Sequence, residues 1–266
     1  MMIVKVPLEN SNDPLGCRKA GNEIIKNFPK TYTAENKKLI EKASLRLEEI
    51  HLDNSKLAEA GKLIYENSVE VIETNEKTIF LGGDGSMCYE IGNAFKEVCK
   101  TEDKTPMLVI FDAHADVEKS KGIPNNRQWL RKLVEEGFPG ENILLIGLRA
   151  SNISDNEFLA NHKIKVYEMK GLNDYEEICD IVMELARQGE IYLSIDVDVI
   201  DSVFVSGTAM GESAGMTTRQ LIYFLQRFNL IKSLRVIDIN EINPELDVNG
   251  QTVKLGTKIL GEILGN

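Results

Sequence analysis

MLVIFDAHAD, residues 107–116, joins a short apolar run to three side chains of the kinds that bind metals. The apolar part, residues 107–111, is continuous rather than alternating, which is typical of a strand covered on both faces in a parallel sheet. Side chains two residues apart on an extended chain point the same way, so Asp112, His114 and Asp116 can converge on one point. The stretch therefore predicts a buried strand that ends in a half-site for a metal ion.

Short apolar runs alternate with longer amphipathic stretches along the whole chain. The other runs predicted as strands are residues 3–6, 78–81, 143–146, 164–167, 191–195 and 236–239. The stretches with helical periodicity are about 34–75, where we expect more than one helix, and 89–99, 127–136, 175–187, 217–227 and 253–264. This alternation predicts an α/β fold with a central, mostly parallel sheet between two helical layers. Because no repeat or Pro/Ser-rich linker divides the chain, we expect a single domain over residues 1–266.

Composition narrows the classes of partner. The chain has 31 Lys and Arg against 42 Asp and Glu, a formal net charge of -11. Nucleic acids and anionic membrane surfaces bind clusters of basic residues, so we expect neither as a partner. A small cationic substrate, in contrast, would be attracted by the negative electrostatic potential of this chain. The four cysteines form no CxxC pair, and no apolar run approaches transmembrane length. Free thiols and the lack of a leader segment lead us to expect a cytoplasmic protein.

A second polar cluster follows the apolar run 191–195. Asp196 and Asp198 project to one side, and two carboxylates at the end of a buried strand are costly without a cation. The two clusters together offer five ligands, which is generous for one ion and reasonable for two ions that share a carboxylate. Carboxylates mixed with an imidazole suit Mn²⁺, Fe²⁺ or Zn²⁺ better than Ca²⁺.

Four ordered motifs resemble those of the arginase, agmatinase and formimidoylglutamase family of manganese ureohydrolases. They are GGDGS at residues 82–86, DAHAD at 112–116, SIDVDVID at 194–201 and EINP at 241–244. The resemblance implies an arginase-like α/β/α fold with each motif near a strand end, and a homo-oligomer, either a trimer or a hexamer.

The resemblance also implies Mn²⁺ as the cofactor, with one or two ions per chain. One ion would be held by Asp112, His114, Asp196 and Asp198. The other would be held by Asp112, Asp116, Asp196 and a histidine, but Gly85 stands at the position of that histidine. Two interpretations remain open. Either water or another side chain completes the second position, or the site binds one ion or none and catalysis has been lost.

The loop after DAHAD departs from the family pattern as well. Glu118 stands where arginase-like members have an asparagine that holds the amino acid head group, and the loop carries no histidine. Glu118 would repel a substrate carboxylate and accept an amine, which argues against arginine as the substrate. Glu118 and Asn126 are the loop candidates for substrate contact. Ser202 replaces a proline of the third motif.

The function that the resemblance implies is hydrolysis of a C–N bond in a small linear amidine or guanidino compound other than arginine. Water activated by the bound ions would attack the trigonal carbon, and Glu241 would pair with the N–H groups of the substrate. Asp116 would accept the proton of that water and carry it towards the leaving nitrogen. The alternative is an inactive family member that serves as a binding or regulatory subunit.

Overall fold

The computed structural model describes residues 1–11, 13 and 15–265. Its main sheet has the strand order β4-β1-β5-β10-β9-β6-β7-β8, and every pair of neighbours is parallel. The strands of this sheet are β1 (Met2–Lys5), β4 (Leu47–Glu49), β5 (Thr78–Leu81), β6 (Pro106–Phe111), β7 (Ile143–Ile146), β8 (Lys165–Tyr167), β9 (Glu190–Asp196) and β10 (Leu234–Asn240). All seven predicted strands are confirmed, with ends that move by no more than two residues.

Helices cover both faces of the sheet, as the α/β fold class requires. They are α1 (Ala20–Asn27), α2 (Leu57–Thr74), α3 (Met87–Thr101), α4 (Trp129–Glu135), α5 (Ile153–Asn161), α6 (Tyr175–Ala186), α7 (Thr218–Phe228) and α8 (Gln251–Leu264). Among the described residues, no helix combines the length and the hydropathy that a bilayer span requires.

The prediction of helix over about residues 34–75 is wrong in its first half. A two-stranded antiparallel hairpin of β2 (Thr31–Thr33) and β3 (Leu39–Glu41) comes first, then β4, and only then α2. The segment is rich in Lys and Glu, which mimic a helical surface, but Ile40 turns inward from a strand while its neighbours stay exposed. Alternation with period two, not 3.6, is the pattern of a half-buried strand.

The continuous apolar strands are buried on both faces. In β6, Val109 and Phe111 belong to one hydrophobic core, whereas Leu108 and Ile110 belong to the other. Each fully buried side chain of this size stabilises the fold by roughly 1.5–3 kcal/mol. The two cores together hold the sheet rigidly between its helices.

Parallel strands bring their carboxyl ends to one edge of the sheet. Four neighbours in the sheet, β5, β10, β9 and β6, carry the four sequence motifs directly after or at their ends. Motifs separated by up to about 160 residues in sequence, from Gly82 to Glu241, thus meet above the centre of the sheet.

Candidate active site

Three of the five predicted metal ligands converge at this edge. The ligand atoms of Asp112, His114 and Asp198 all lie within 4.8 Å of one another. Nδ1 of His114 is 2.8 Å from Oδ2 of Asp198 and 3.6 Å from Oδ1 of Asp112. Both carboxylates are buried, and the imidazole is largely so. We call these three residues the triad.

Backbone N–H groups hold the carboxylates of this region in place. Oδ1 of Asp198 accepts a hydrogen bond from the N–H of Ala113 at 3.1 Å, which links the end of β9 to the end of β6. Oδ1 of Asp196 accepts one from the N–H of Asp198 at 2.8 Å. Because these donors belong to the main chain, the geometry is set by the sheet itself.

Asp116 and Asp196 lie beside the triad but do not join it as closely. In the part of the chain that the structure describes, neither belongs to a group of three donors within 4.8 Å. The Nε1–H of Trp129 donates to Oδ2 of Asp116 at 2.7 Å, and Asp116 has a left-handed backbone with φ of 52°. That hydrogen bond ties the carboxylate to the start of α4, and burial, together with the charges of Asp112, His114 and Asp198, acts on its pKa.

The electrostatics of the site call for a cation. Burial and the charge of Asp198 raise the pKa of Asp112 to about 6. Burial, together with the charges of Asp198 and Asp112, raises the pKa of Asp196 well above its ordinary value. Burial alone would lower the pKa of His114, but its contacts with Asp112 and Asp198 outweigh burial and raise it to about 11. A divalent ion would relieve the crowded negative charge, and the O, N, O donor set of the triad fits one.

Glu241 is buried close to these carboxylates. The N–H of Gly85 donates to its Oε1 at 2.7 Å, and the thiol of Cys17 faces its Oε2 at 3.7 Å. Burial and the charge of Asp84 raise the pKa of Glu241 to about 8. Glu241 also has a left-handed backbone, with φ of 58°, directly after β10. Such strain in a buried residue is typical of functional sites.

Gly83 and Gly85 of the GGDGS motif differ in whether their surroundings require glycine. A Cβ at Gly83 would overlap the carbonyl oxygen of Leu8, so the loop after β1 requires glycine there. A Cβ at Gly85 would lie 3.5 Å from Oε1 of Glu241 and from the carbonyl oxygen of Asn126, which is ordinary contact. No close approach demands glycine at residue 85, and a side chain there would begin in van der Waals contact with Glu241 and Asn126.

The two substrate-loop candidates differ in position. Asn126 is buried beside Glu241, and its Nδ2 donates to Oδ2 of Asp13 at 3.3 Å. Arg127 forms an ion pair with the same aspartate at 2.7 Å. Glu118, in contrast, is exposed, and its N–H is bonded to the carbonyl of Arg127. Asn126 is therefore buried next to Glu241, while Glu118 lies at the surface of the loop.

Sequence reasoning missed several residues of the site. Cys17 had been grouped with ordinary free thiols. Glu212, on the loop after the third motif, places Oε1 at 3.8 Å from Nε2 of His114. Arg149 donates to the carbonyls of Asp198 at 2.8 Å and Glu212 at 3.0 Å, and so ties that loop to the triad. The only signal available for Arg149 was its place in the motif IGLR after β7.

Fold and site together define a protein of the arginase class. The chain belongs to the arginase family, whose family model matches residues 1–265.

Individual relatives agree with this assignment. The chain is 27% identical over 213 residues to an arginase of Staphylococcus aureus strain MRSA252, covering 73% of this chain and 69% of the relative. It is 30% identical over 199 residues to a formimidoylglutamase of Halalkalibacterium halodurans, covering 71% of this chain and 60% of that protein. The crystal structure of formimidoylglutamase from Bacillus subtilis superposes with a TM-score of 0.88 at 20% identity, covering 99% of this chain and 85% of the other.

Proposed function

We propose that this chain is a hydrolase that uses a divalent ion, Mn²⁺ in the first instance, to cleave a C–N bond in a linear amidine or guanidino compound other than arginine. The observation that carries the proposal is the triad of Asp112, His114 and Asp198 beside the buried carboxylate of Glu241. Relatives named formimidoylglutamase and guanidinobutyrase, the latter 27% identical over 226 residues, support an amidino substrate.

The residues of the site have separate roles in the proposed reaction. The triad would hold the ion, with Asp196 beside it, and the ion when bound supplies an activated water. Glu241 accepts N–H groups of the planar amidinium and aligns its carbon, since a carboxylate matches two parallel N–H donors. Asp116, held by Trp129, would accept a proton and pass it to the leaving nitrogen.

Two acidic side chains on loops near the site support a substrate without a carboxylate. Glu212 faces the outer nitrogen of His114, and Glu118 is exposed on the neighbouring loop. Both side chains would repel an amino acid head group and attract an amine. A substrate with an amidine at one end and an amine or neutral group at the other therefore fits better than arginine.

One observation favours a second candidate function. Gly85 leaves the second ion position without its histidine, and the loop of residues 117–128 contains no histidine that could protonate a leaving amine. A chain with these changes could bind a cationic ligand or a partner chain without turning it over. This second candidate is an inactive binding or regulatory subunit of a homo- or hetero-oligomer. We propose that the chain forms a trimer or a hexamer. Light scattering during size-exclusion chromatography measures the molar mass, and so the number of chains, directly.

The decisive experiment is a substrate panel on protein loaded in turn with Mn²⁺, Fe²⁺ and Zn²⁺. Release of urea, ammonia or amine is followed with agmatine, guanidinobutyrate, guanidinopropionate, formimidoylglutamate and arginine, with His114→Ala as the inactive control. We expect turnover of at least one panel member and none above the control for arginine. If the metal-loaded protein turns over no member of the panel, hydrolysis is refuted and the inactive subunit is the remaining hypothesis.

A further inference from the structure

The imidazole of His114 has different partners on its two ring nitrogens. Nδ1 faces the other members of the triad, at 2.8 Å from Oδ2 of Asp198 and 3.6 Å from Oδ1 of Asp112. Nε2 faces Oε1 of Glu212 at 3.8 Å. In the part of the chain that the structure describes, no other carboxylate oxygen comes within 4.0 Å of Nε2. The ring thus lies between the triad on one side and a single loop carboxylate on the other.

The loop that carries Glu212, residues 201–216, is fastened to the site by its main chain. The carbonyl of Glu212 accepts hydrogen bonds from the guanidinium of Arg149 and from the N–H of Ser202, both at 3.0 Å. A Cβ at Gly215 would lie 2.5 Å from the same guanidinium, so the loop closes around that group only with glycine. None of these contacts uses the side chain of Glu212. A substitution of Glu212 therefore removes its carboxylate and leaves the loop fastened.

The side chain of Glu212 has the freedom to move closer to His114. Its exposed fraction is 47%, against 13% for the imidazole. The present separation of 3.8 Å is longer than a hydrogen bond, for which about 2.7–3.2 Å is usual. Rotation between staggered conformations about the bonds of a half-exposed glutamate shortens such a distance at little cost. The imidazole, in contrast, is held between its neighbours.

An ion held by the triad would decide which nitrogen of His114 carries the proton. A nitrogen that binds a metal offers its lone pair, and Nδ1 is the nitrogen that faces the triad carboxylates. The single proton of the neutral ring then lies on Nε2. A histidine that binds a metal commonly donates this second N–H to a carboxylate, which fixes the orientation of the ring and makes the ligating nitrogen more basic. Glu212 is the carboxylate on that side of the ring.

We propose that Glu212 accepts a hydrogen bond from Nε2–H of His114 and so holds the ring with Nδ1 directed at the bound ion. Glu212 is a positioning residue, because it acts through His114. Among the described residues, the close metal donors are those of the triad, and Glu212 is not one of them. This inference rests on the proposed function for the presence of an ion at the triad, but it is tested without turnover.

The first test measures the affinity of the chain for Mn²⁺ by competition with a chelator. We expect Glu212→Ala to weaken binding by about tenfold to hundredfold, the usual effect of losing a carboxylate behind a metal-binding histidine. Glu212→Gln keeps an acceptor oxygen at the same reach and should weaken binding by only about threefold, because its neutral hydrogen bond is weaker.

Glu97→Ala is the matched control for the loss of one negative charge. Glu97 lies on α3, pairs with Lys100 at 3.7 Å and has a side chain exposed to a similar extent, 42%. Its substitution should leave the affinity unchanged. Wild-type affinity in Glu212→Ala would overturn the proposal. Equal losses in Glu212→Ala and Glu212→Gln would overturn it too, since the charge and not the hydrogen bond would then matter.

The second test observes the proton itself by nuclear magnetic resonance. The chain is labelled with ¹⁵N-histidine and loaded with Zn²⁺, which is diamagnetic, and the other two histidines, His51 and His162, are assigned by substitution. We expect a slowly exchanging Nε2–H signal from His114 in the wild type and in Glu212→Gln, and its loss to solvent exchange in Glu212→Ala. A residue that only supported the loop would leave this signal unchanged. The same signal in all three proteins, or a proton on Nδ1, would overturn the proposal.

These outcomes are distinct from those of the substrate panel. Metal affinity and an Nε2–H signal that depend on Glu212, in a chain that turns nothing over, would support the positioning role and refute hydrolysis. Turnover by Glu212→Ala at wild-type metal affinity would refute the positioning role and leave hydrolysis standing. A wild type that binds neither Mn²⁺ nor Zn²⁺ would refute both.

Discussion

His114 and Asp198 face each other across the ends of two paired strands, with Nδ1 of the imidazole 2.8 Å from Oδ2 of the carboxylate. Phe111 pairs with Ile195 at the last step of the β6–β9 ladder, so the register of the sheet sets the separation of the residues that follow. The N–H of Ala113 also donates to Asp198 across the same gap. The geometry of this candidate metal site is therefore a property of the strand ends in the sheet rather than of flexible loops.

The triad should account for the metal affinity of the chain. His114→Ala and Asp198→Asn each remove one of three donors, so we expect the affinity for Mn²⁺ to fall by about hundredfold or more, since even supporting residues around a metal contribute about 10–100-fold. Metal-dependent quenching or competition with a chelator measures this. His162→Ala is the matched control, because that ring packs on Phe158 on another part of the surface. Unchanged affinity in either triad variant would mean that the ion binds elsewhere.

Trp129 should affect turnover without affecting the triad. Trp129→Phe keeps the buried ring but removes the donor to Asp116, and a hydrogen bond to a charged group is worth about 1.5–3 kcal/mol. We expect kcat to fall by about tenfold to hundredfold while the affinity of the triad for Mn²⁺ stays constant. Tyr175→Phe, on α6, controls for loss of an aromatic polar group. A parallel loss of metal affinity would show that Asp116 is a metal ligand rather than a proton carrier.

Arg149 should stabilise both the fold and the metal centre. Its guanidinium donates to the carbonyls of Asp198, Glu212 and Ser213. The single ammonium group of a lysine cannot donate to all three in this planar arrangement. We expect Arg149→Lys to lower the free energy of unfolding by about 2 kcal/mol, or Tm by about 4–8 °C, and to weaken Mn²⁺ binding. Calorimetry and metal titration check the two effects. If the variant keeps its full stability but binds Mn²⁺ weakly, Arg149 serves only to hold the loop of Glu212 against the triad and does not stabilise the fold.

Glu241 should make the metal-free chain less stable as pH rises. Its pKa is about 8 in the fold, raised by burial and by Asp84, against about 4.3 in an unfolded chain. Between these values the native state holds a proton that the unfolded state has released, so this group lowers the free energy of unfolding progressively from about pH 4.5 to pH 8. Glu241→Gln removes the effect. The variant should therefore exceed the wild type in stability by more at pH 8 than at pH 5, as urea unfolding would measure.

Continuous apolar runs were the part of the fold most readily predicted. Residues 107–111 and 191–195 have no alternation because helices cover both of their faces, and the structure confirms both strands. The hairpin of β2 and β3 was missed because it is short and mostly exposed, with little hydrophobic pattern to reveal its period. Helix α5 was missed although Asn152 and Asp155 form a capping box at its start, because few apolar residues follow it.

The site was predictable where its residues lie within three positions of a strand end. Asp112, His114 and Asp198 follow strands directly, so their spacing carries the geometry. Cys17 contacts Glu241 from 224 residues away, through a turn whose path depends on the packing of Gly16. No local pattern encodes such a contact. The same holds for Glu212, which reaches His114 from the middle of a loop.

The strand order has a consequence for how the chain acquires this site. The central strands β9 and β10 come from residues 190–240, whereas the strands that they join, β5 and β6, precede them in the chain. During synthesis, two partial sheets with unpaired inner edges therefore form before the last third of the chain, which supplies the strands between them. This order makes folding slow and leaves strand edges open to association with other chains. The triad includes Asp198 from after β9, and Glu241 lies directly after β10. A nascent chain consequently assembles the triad and brings Glu241 to it only when its central sheet has closed.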